Sequence, residues 1–311
     1  MARNGIHHVT AIAGSAQRNL DFYTRTLGLR LVKKTVNFDD PGAYHFYYGD
    51  EAGSPGTILT FFPWEHAAPG RAGAGELQET VFRIPQSAIG YWTARLVNHG
   101  VERATRFGET VLTFRDPDGL RLALVGLPGI DAEPAWDSTA GGGEVPVEHA
   151  IRGFHSVSLM LERTEATGAI LSDVFGFREV AREGDTTRYA VEGTEIGGIV
   201  DLRAVSGFLP ARLGRGSVHH LAFRAADDAA EMEMVRKLAA NHGLRTTEQK
   251  NRDYFRSVYF REPGHVLFEI ATDIPGFDVD EPAGELGRAL KLPAFLEGHR
   301  EAIEAALPIL A

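Results

Sequence analysis

The chain repeats one pattern four times, and a sequence built that way folds as copies of a single supersecondary unit. Each copy opens with a short strand, passes through one amphipathic helix, stops at a glycine and continues in strands. The copies span residues 5–62, 76–127, 151–205 and 216–272. Their helices stop at Leu27-Gly28-Leu29, His99-Gly100-Val101, Phe175-Gly176-Phe177 and His242-Gly243-Leu244. A glycine just past a helix takes the left-handed conformation that ends it. The second helix is expected near Ser87–Asn98, the third after Thr164, and the fourth behind an Asp227 cap. Copies two and four also share Phe114-Arg115-Asp116-Pro117 and Phe260-Arg261-Glu262-Pro263. One βαβββ module, doubled and doubled again, explains the pattern. One helix to several strands predicts an α+β fold with curved mixed sheets.

Residues 128–150 break the repeat with Pro134, Pro146 and the run Ser138-Thr139-Ala140-Gly141-Gly142-Gly143, which reads as a linker. The organisation expected is an N-terminal domain over 1–127, that linker, a C-terminal domain over 151–272, and a tail over 273–311. The tail carries a short helix expected at Ala294–Ala306. The 311 residues contain no cysteine, which excludes disulfides, thiolate metal sites and thiol nucleophiles. A net charge of -10 without a basic run argues against nucleic acid and anionic membrane as partners. No apolar run reaches the roughly 20 residues of a spanning helix. The start, MARNGIHHVT, lacks an apolar signal region, so a cytoplasmic protein is expected.

Chemistry concentrates in the opening strands. Module one reads Gly5-Ile6-His7-His8-Val9-Thr10 and module four Ser217-Val218-His219-His220-Leu221-Ala222. Side chains alternate along a strand, so only one His of each pair faces a given side. His8, with Thr10, and His220, with Ala222, are assigned to the cavity; His7 and His219 share the apolar side with Val9, Leu221 and Phe223. Glu269 lies in the apolar run Val266-Leu267-Phe268-Glu269-Ile270-Ala271, where an unpaired carboxylate is costly. A metal would neutralise it. Two imidazoles and a carboxylate form the facial triad of non-haem Fe(II) oxygenases. A lone His at a strand start is as a rule an ordinary structural residue, and a buried Glu is as often in an ion pair; the combination at matching strand positions favours a metal site. His45, His66, His99, His149, His242, His265 and His299 read as structural or solvent-facing. A second constellation, Glu79 with Asp201, lacks a His, since module three offers Ser156; it reads as the degenerate half of the duplication. Phe46, Tyr48, Phe61 and Phe255 are candidate linings for a flat apolar pocket.

These features resemble the vicinal oxygen chelate superfamily, which includes glyoxalase I and extradiol dioxygenases. The stretches GIHHVTAIAG, LDFYTRTLGLRLVKKTVNFDDP, YHFYYGD, SPGTILTFFPW, GSVHHLAF, KNRDYFRSVYFREPGHVLFEIATD and LPAFLEGHR resemble, over nearly the whole chain, its hydroquinone-type ring-cleaving dioxygenases. The resemblance implies Fe(II), with Mn(II) as the alternative, on His8, His220 and Glu269. It places His7, Thr10, His219, Arg252 and Tyr259 around that centre. It implies a small aromatic substrate and O2, extradiol-type cleavage beside one hydroxyl of a dihydroxybenzene, His219 in proton transfer, and Tyr259 and Arg252 facing developing charge. A role for His219 conflicts with strict strand alternation. Ligands from modules one and four must meet, so module one should pair with four, and two with three. His155-Ser156 departs from the His that catechol enzymes supply from module three. Two rivals remain. A glyoxalase-type lyase or isomerase would add a second carboxylate, which Gly56-Thr57-Ile58-Leu59-Thr60-Phe61 does not offer. A metal-free binding protein would need none of these ligands. A homo-oligomer stays open.

Overall fold

The protein is described by a computed structural model over residues 4–311, with sixteen strands among them. Module one supplies β1 (Ile6–Ala13), β2 (Arg30–Asn37), β3 (Asp40–Gly49) and β4 (Ile58–Pro63). Module two supplies β5 (Glu76–Pro85), β6 (Glu102–Arg106), β7 (Glu109–Arg115) and β8 (Arg121–Leu127). Module three supplies β9 (Phe154–Leu161), β10 (Arg178–Glu183), β11 (Thr186–Ala190) and β12 (Ile199–Ala204). Module four supplies β13 (Ser217–Ala225), β14 (Lys250–Asn251), β15 (Phe255–Arg261) and β16 (Leu267–Pro275). One helix follows the first strand of each: α1 (Ala16–Asp21), α2 (Ile89–Arg95), α3 (Glu165–Asp173) and α4 (Asp228–His242).

The strands form two curled eight-stranded sheets, in the orders β14-β15-β16-β13-β1-β4-β3-β2 and β10-β11-β12-β9-β5-β8-β7-β6. Modules one and four therefore meet through the antiparallel pair β1/β13, and modules two and three through β5/β9, as the pairing argument required. The faces turned away from the cavities share one core with the helices. Phe175, at the end of module three's helix, stacks on Phe223 of β13 with ring centroids 4.0 Å apart. Gly28 (φ +69°) ends module one's helical turn where the chain passes close to the linker, and a Cβ there would sit 2.7 Å from Val145.

Two helices are shorter than the sequence suggests. The span 87–98 resolves into α2, of seven residues, between single 3-10 turns at Gln86–Ala88 and Val97–His99. Gly90 near its start is a poor helix former. The tail helix is α5 (Arg300–Ala306) rather than Ala294–Ala306, because the chain turns at Glu297–His299 around Gly298. The tail is strapped to the first sheet. Lys33 of β2, fully buried, donates to Asp280 at 2.5 Å and to Glu281.

The repeated Phe-Arg-acid-Pro motif has a structural role. Asp116 accepts the main-chain N–H groups of Asp118 and Leu120, and Glu262 accepts those of Gly264 and Val266, so each acid closes the hairpin between the last two strands of its module. Each also reaches the helical region of another module: Tyr23 donates to Asp116 at 3.0 Å, and Thr167 to Glu262. Sheet pairing joins one to four and two to three, while these bonds join one to two and three to four, which closes the four modules into a ring. Burial pushes the Asp116 carboxyl up to about 6, against the hydrogen bonds that pull it down. Its unfolded value is about 3.9, so between about pH 4 and 6 the folded state holds a proton that the unfolded chain has released. This contribution to stability is lost as pH rises through that window. Relative to Asp116→Asn, the wild type should lose unfolding free energy from pH 4 to 6 in urea titrations; a constant difference contradicts the assignment.

Candidate metal centre

The centre forms where β1, β13 and β16 lie side by side. His8 comes from β1, His220 from β13 and Glu269 from β16, and each is nearly or fully buried. His220 Nε2 lies 2.8 Å and His8 Nε2 3.1 Å from Glu269 Oε2, and the two imidazole Nε2 atoms are 3.2 Å apart. Three donor atoms thus point at one spot. Neither oxygen of Glu269 has a hydrogen bond, although the carboxylate is wholly buried. A buried carboxylate left this way is strongly unfavourable unless a cation completes it. Burial alone would push Glu269 up, but His8 and His220 beside it hold it well below the usual carboxylate range. Burial pushes His220 down, which favours the neutral imidazole a metal requires.

Strict alternation assigned His7 and His219 to the helix-packed side, and the structure corrects this. In the β1/β13 ladder Ile6 faces Phe223 but His8 faces Ala222, so His7 is an extra residue; Thr10 faces His220 but Ala11 faces Val218, so His219 is another. A bulge re-aims its side chains. His7 Nδ1 therefore contacts His8 Nδ1 at 2.9 Å, and His219 Nδ1 contacts His220 Nδ1 at 2.8 Å. A lone pair on Nε2 of His8 or His220 requires the proton on Nδ1. Each of these Nδ1–H groups then donates to its preceding neighbour, which fixes the ring. His7 is further tied to the Thr272 main chain, whereas His219 lines the cavity beside His220. Burial pushes His7 well down and His219 down to about 3.

The cavity in front of these groups holds about 210 Å³. That is below the ~300–1,000 Å³ of drug-sized sites and suits a single ring. Arg252 and Tyr259 line it. Tyr259 stands opposite Glu269 in the β15/β16 ladder, and Ser257 donates to its hydroxyl at 3.2 Å. The Arg252 guanidinium lies 5.6 Å from the Tyr259 ring centroid and donates to Asp39 at 3.2 Å. Thr10 is fully buried opposite His220, and its hydroxyl bonds Thr60 at 2.8 Å rather than a ligand. Among the proposed aromatic linings only Phe255 faces the cavity; Phe46, Tyr48 and Phe61 are in the core, and their strand neighbours Tyr47 and Phe62 take the lining positions. A one-residue change of face accounts for this. His45, read as structural, also lines the cavity. Its alternation with buried Tyr44 and Phe46 on β3 was the available signal.

Residues 5–124 match the family described as the glyoxalase/bleomycin resistance protein/dioxygenase superfamily. Bacillus subtilis MhqO, which carries a provisional ring-cleaving dioxygenase name, is 44% identical over 97% of this chain and 95% of its own length. The chain belongs to this superfamily. The chlorohydroquinone/hydroquinone 1,2-dioxygenase of Sphingobium indicum is 34% identical over 96% of this chain and 94% of its own. A crystal structure of a Bacillus subtilis protein, provisionally named a dioxygenase, is 43% identical with a TM-score of 0.91, over 99% of this chain and 97% of that one. Glyoxalase I from Zea mays, 12% identical over 87% of this chain and 93% of its own with a TM-score of 0.63, shares the fold.

The second sheet repeats the layout with different chemistry. Gln78 and His155 are the extra residues in the β5/β9 ladder, so Glu79 takes the place of His8 and Ser156 that of His220. Asp201 takes the place of Glu269, because Ser158 faces Asp201 as Ala222 faces Glu269. Arg188 stands opposite Asp201 as Tyr259 stands opposite Glu269. Its guanidinium donates to both Asp201 oxygens at 2.8 and 2.9 Å and to Glu109 at 2.9 Å, while Arg106 pairs with Glu79. Burial alone would raise Glu109, but His155 and Arg188 bring it down to about 2. Arginine thus supplies the positive charge that Glu79 and Asp201 face.

Two outcomes are expected. Mn(II) or Fe(II) should raise the melting temperature of the wild type and not of Glu269→Gln, with metal affinity reduced more than tenfold by calorimetry, since even residues behind a ligand are worth ~10–100-fold. Arg188→Met should cost about 3–5 kcal/mol in urea unfolding by stranding buried acids, and Asp201→Asn in that background should restore part of it. A neutral Arg188→Met contradicts the ion-pair account.

Proposed function

We propose that the chain is an Fe(II)-dependent ring-cleaving dioxygenase that opens a hydroquinone or related dihydroxybenzene with O2 in the extradiol manner. The observation that carries the reading is the buried, unbonded Glu269 facing two Nε2 atoms at the floor of a cavity the size of one ring. The similarity to the Sphingobium indicum enzyme over almost the full chain supports the substrate class. His8, His220 and Glu269 would hold the metal, leaving the open positions of a facial triad; Mn(II) suits the same donors. When bound, the metal would gather the substrate hydroxyl and O2 and let electron density pass between them.

The surrounding residues have distinct tasks. His219 accepts at Nδ1 from His220, so its neutral ring carries the proton on Nε2, and it would donate that N–H to substrate oxygen as negative charge develops there. His7 is bonded on both sides and holds His8 in place. Burial and the nearby Glu269 charge push Tyr259 up, so it stays a phenol and can donate to negative oxygen as the ring opens. Arg252 would balance anionic charge at the cavity mouth. Tyr47, Phe62, Trp64 and Phe255 would sandwich the flat ring and exclude water. A glyoxalase-type reaction is less well served, since β4 presents Ile58, Thr60 and Phe62 where a further acid would be needed.

The test is anaerobic loading with Fe(II), followed by oxygen-electrode measurements on substituted hydroquinones and catechols. Uptake of one O2 per ring is expected, with loss to background in His8→Ala, His220→Ala and Glu269→Ala. His219→Ala should lower kcat by about 10²–10³-fold at saturating metal and weaken metal binding as well, since His219 also holds His220. Absence of O2 uptake with every diol, or isomerisation of a thiol adduct instead, rejects the proposal.

A further inference from the structure

We infer that His45 is the specificity-determining residue that binds the second hydroxyl of the substrate, the one remote from the metal; this rests on the proposed ring-cleaving function. His45 projects from β3, two strands away from β1 across β4, into the same cavity as His8 and His220. Strands are spaced about 4.8 Å apart, so the backbones of β3 and β1 are roughly 10 Å apart. His45 therefore faces the ligand cluster from the far side of a cavity that accommodates one ring. A ring with oxygens at opposite ends bridges the two. A ring with adjacent oxygens keeps both at the metal end.

The imidazole is held ready for that contact. Its centroid lies 4.1 Å from that of Tyr47 and 4.3 Å from that of Phe62, so two aromatic side chains brace it. Its Nε2 bonds Thr60 Oγ1 at 2.9 Å, and Thr60 bonds Thr10 at 2.8 Å. Both threonines are fully buried. The chain His45–Thr60–Thr10 uses Nε2 and leaves Nδ1 as the nitrogen for a ligand. With Nε2–H donating to Thr60, Nδ1 carries a lone pair and accepts from a phenolic O–H. Burial pushes His45 well down, in keeping with a neutral ring that can accept. Thr10, whose hydroxyl bonds Thr60 rather than a ligand, gains a purpose: it anchors the group that reads the far end of the substrate.

The experiment compares hydroquinone, catechol and phenol binding to Mn(II)-loaded protein without O2, by calorimetry, in wild type, His45→Phe and His45→Gln. Wild type should bind hydroquinone about tenfold more tightly than phenol, the factor that ~1.4 kcal/mol of hydrogen bonding supplies. His45→Phe should bring that ratio close to one and leave phenol affinity unchanged, which also reports an intact site. His45→Gln, which keeps an acceptor, should retain part of the preference. Catechol affinity should be equal in all three proteins. A hydroquinone-to-phenol ratio unchanged in His45→Phe, or an equal loss for phenol and catechol, overturns the assignment. Oxygen uptake by wild type is measured in parallel. Uptake with an unchanged binding ratio removes only the role of His45; no uptake, with the ratio still dependent on His45, removes the ring-cleaving function and keeps the contact.

Discussion

The carboxylate of Glu269 sets the terms for the first sheet. It is fully buried, lies in an apolar strand, and makes no hydrogen bond. A group in that state needs positive charge at short range. Nearby strands on one side deliver it. β13 is the direct neighbour of β16, and β1 is the next one over. The pairing of chain-distant modules follows from this need: a ladder between modules one and two would have left His8 in a different sheet from Glu269.

The same ladder explains why two histidines stand in a row. A regular strand would send them to opposite faces, and a single donor from each strand would then lack support behind it. The bulges at His7 and His219 let each pair work as a unit, one ring toward the metal position and one behind it. The two supporting rings are not equivalent. His7 has a second partner in the Thr272 main chain, while His219 opens into the cavity. A nearly symmetric pair of strands thus yields one rigid support and one group with a ring nitrogen open to the cavity.

Much of this was legible in the sequence. Repeats, glycine stops and the isolated Glu269 gave the module count, the sheet partners and the three converging donors. What failed failed for local reasons. Alternation is a rule for unbroken ladders, and nothing in Ile6-His7-His8-Val9 announces an unpaired residue, so the sides of His7 and His219 were misassigned. Phe46, Tyr48 and Phe61 are candidates by residue type alone, with no face assigned to β3 or β4; they lie in the core, and the missing face assignment also hid His45. The short α2 and α5 reflect Gly90 and Gly298, whose cost is small enough that packing decides the outcome.

The second sheet shows what duplication permits once one copy carries the chemistry. Bulges at Gln78 and His155 persist, and His155 Nδ1 still bonds the next side chain, Ser156 Oγ, at 3.0 Å as His219 bonds His220. The scaffold is therefore retained in geometry while the donors have changed. Where Tyr259 stands over Glu269, Arg188 stands over Asp201 and binds it through two parallel hydrogen bonds. A guanidinium is a permanent cation with a fixed fork, so it satisfies a carboxylate without open positions for a substrate. The two cavities thus meet the same requirement, positive charge beside a buried acid, in ways with opposite consequences. One pairs the acid with a fixed guanidinium. The other leaves the acid without a hydrogen bond, facing two imidazole nitrogens.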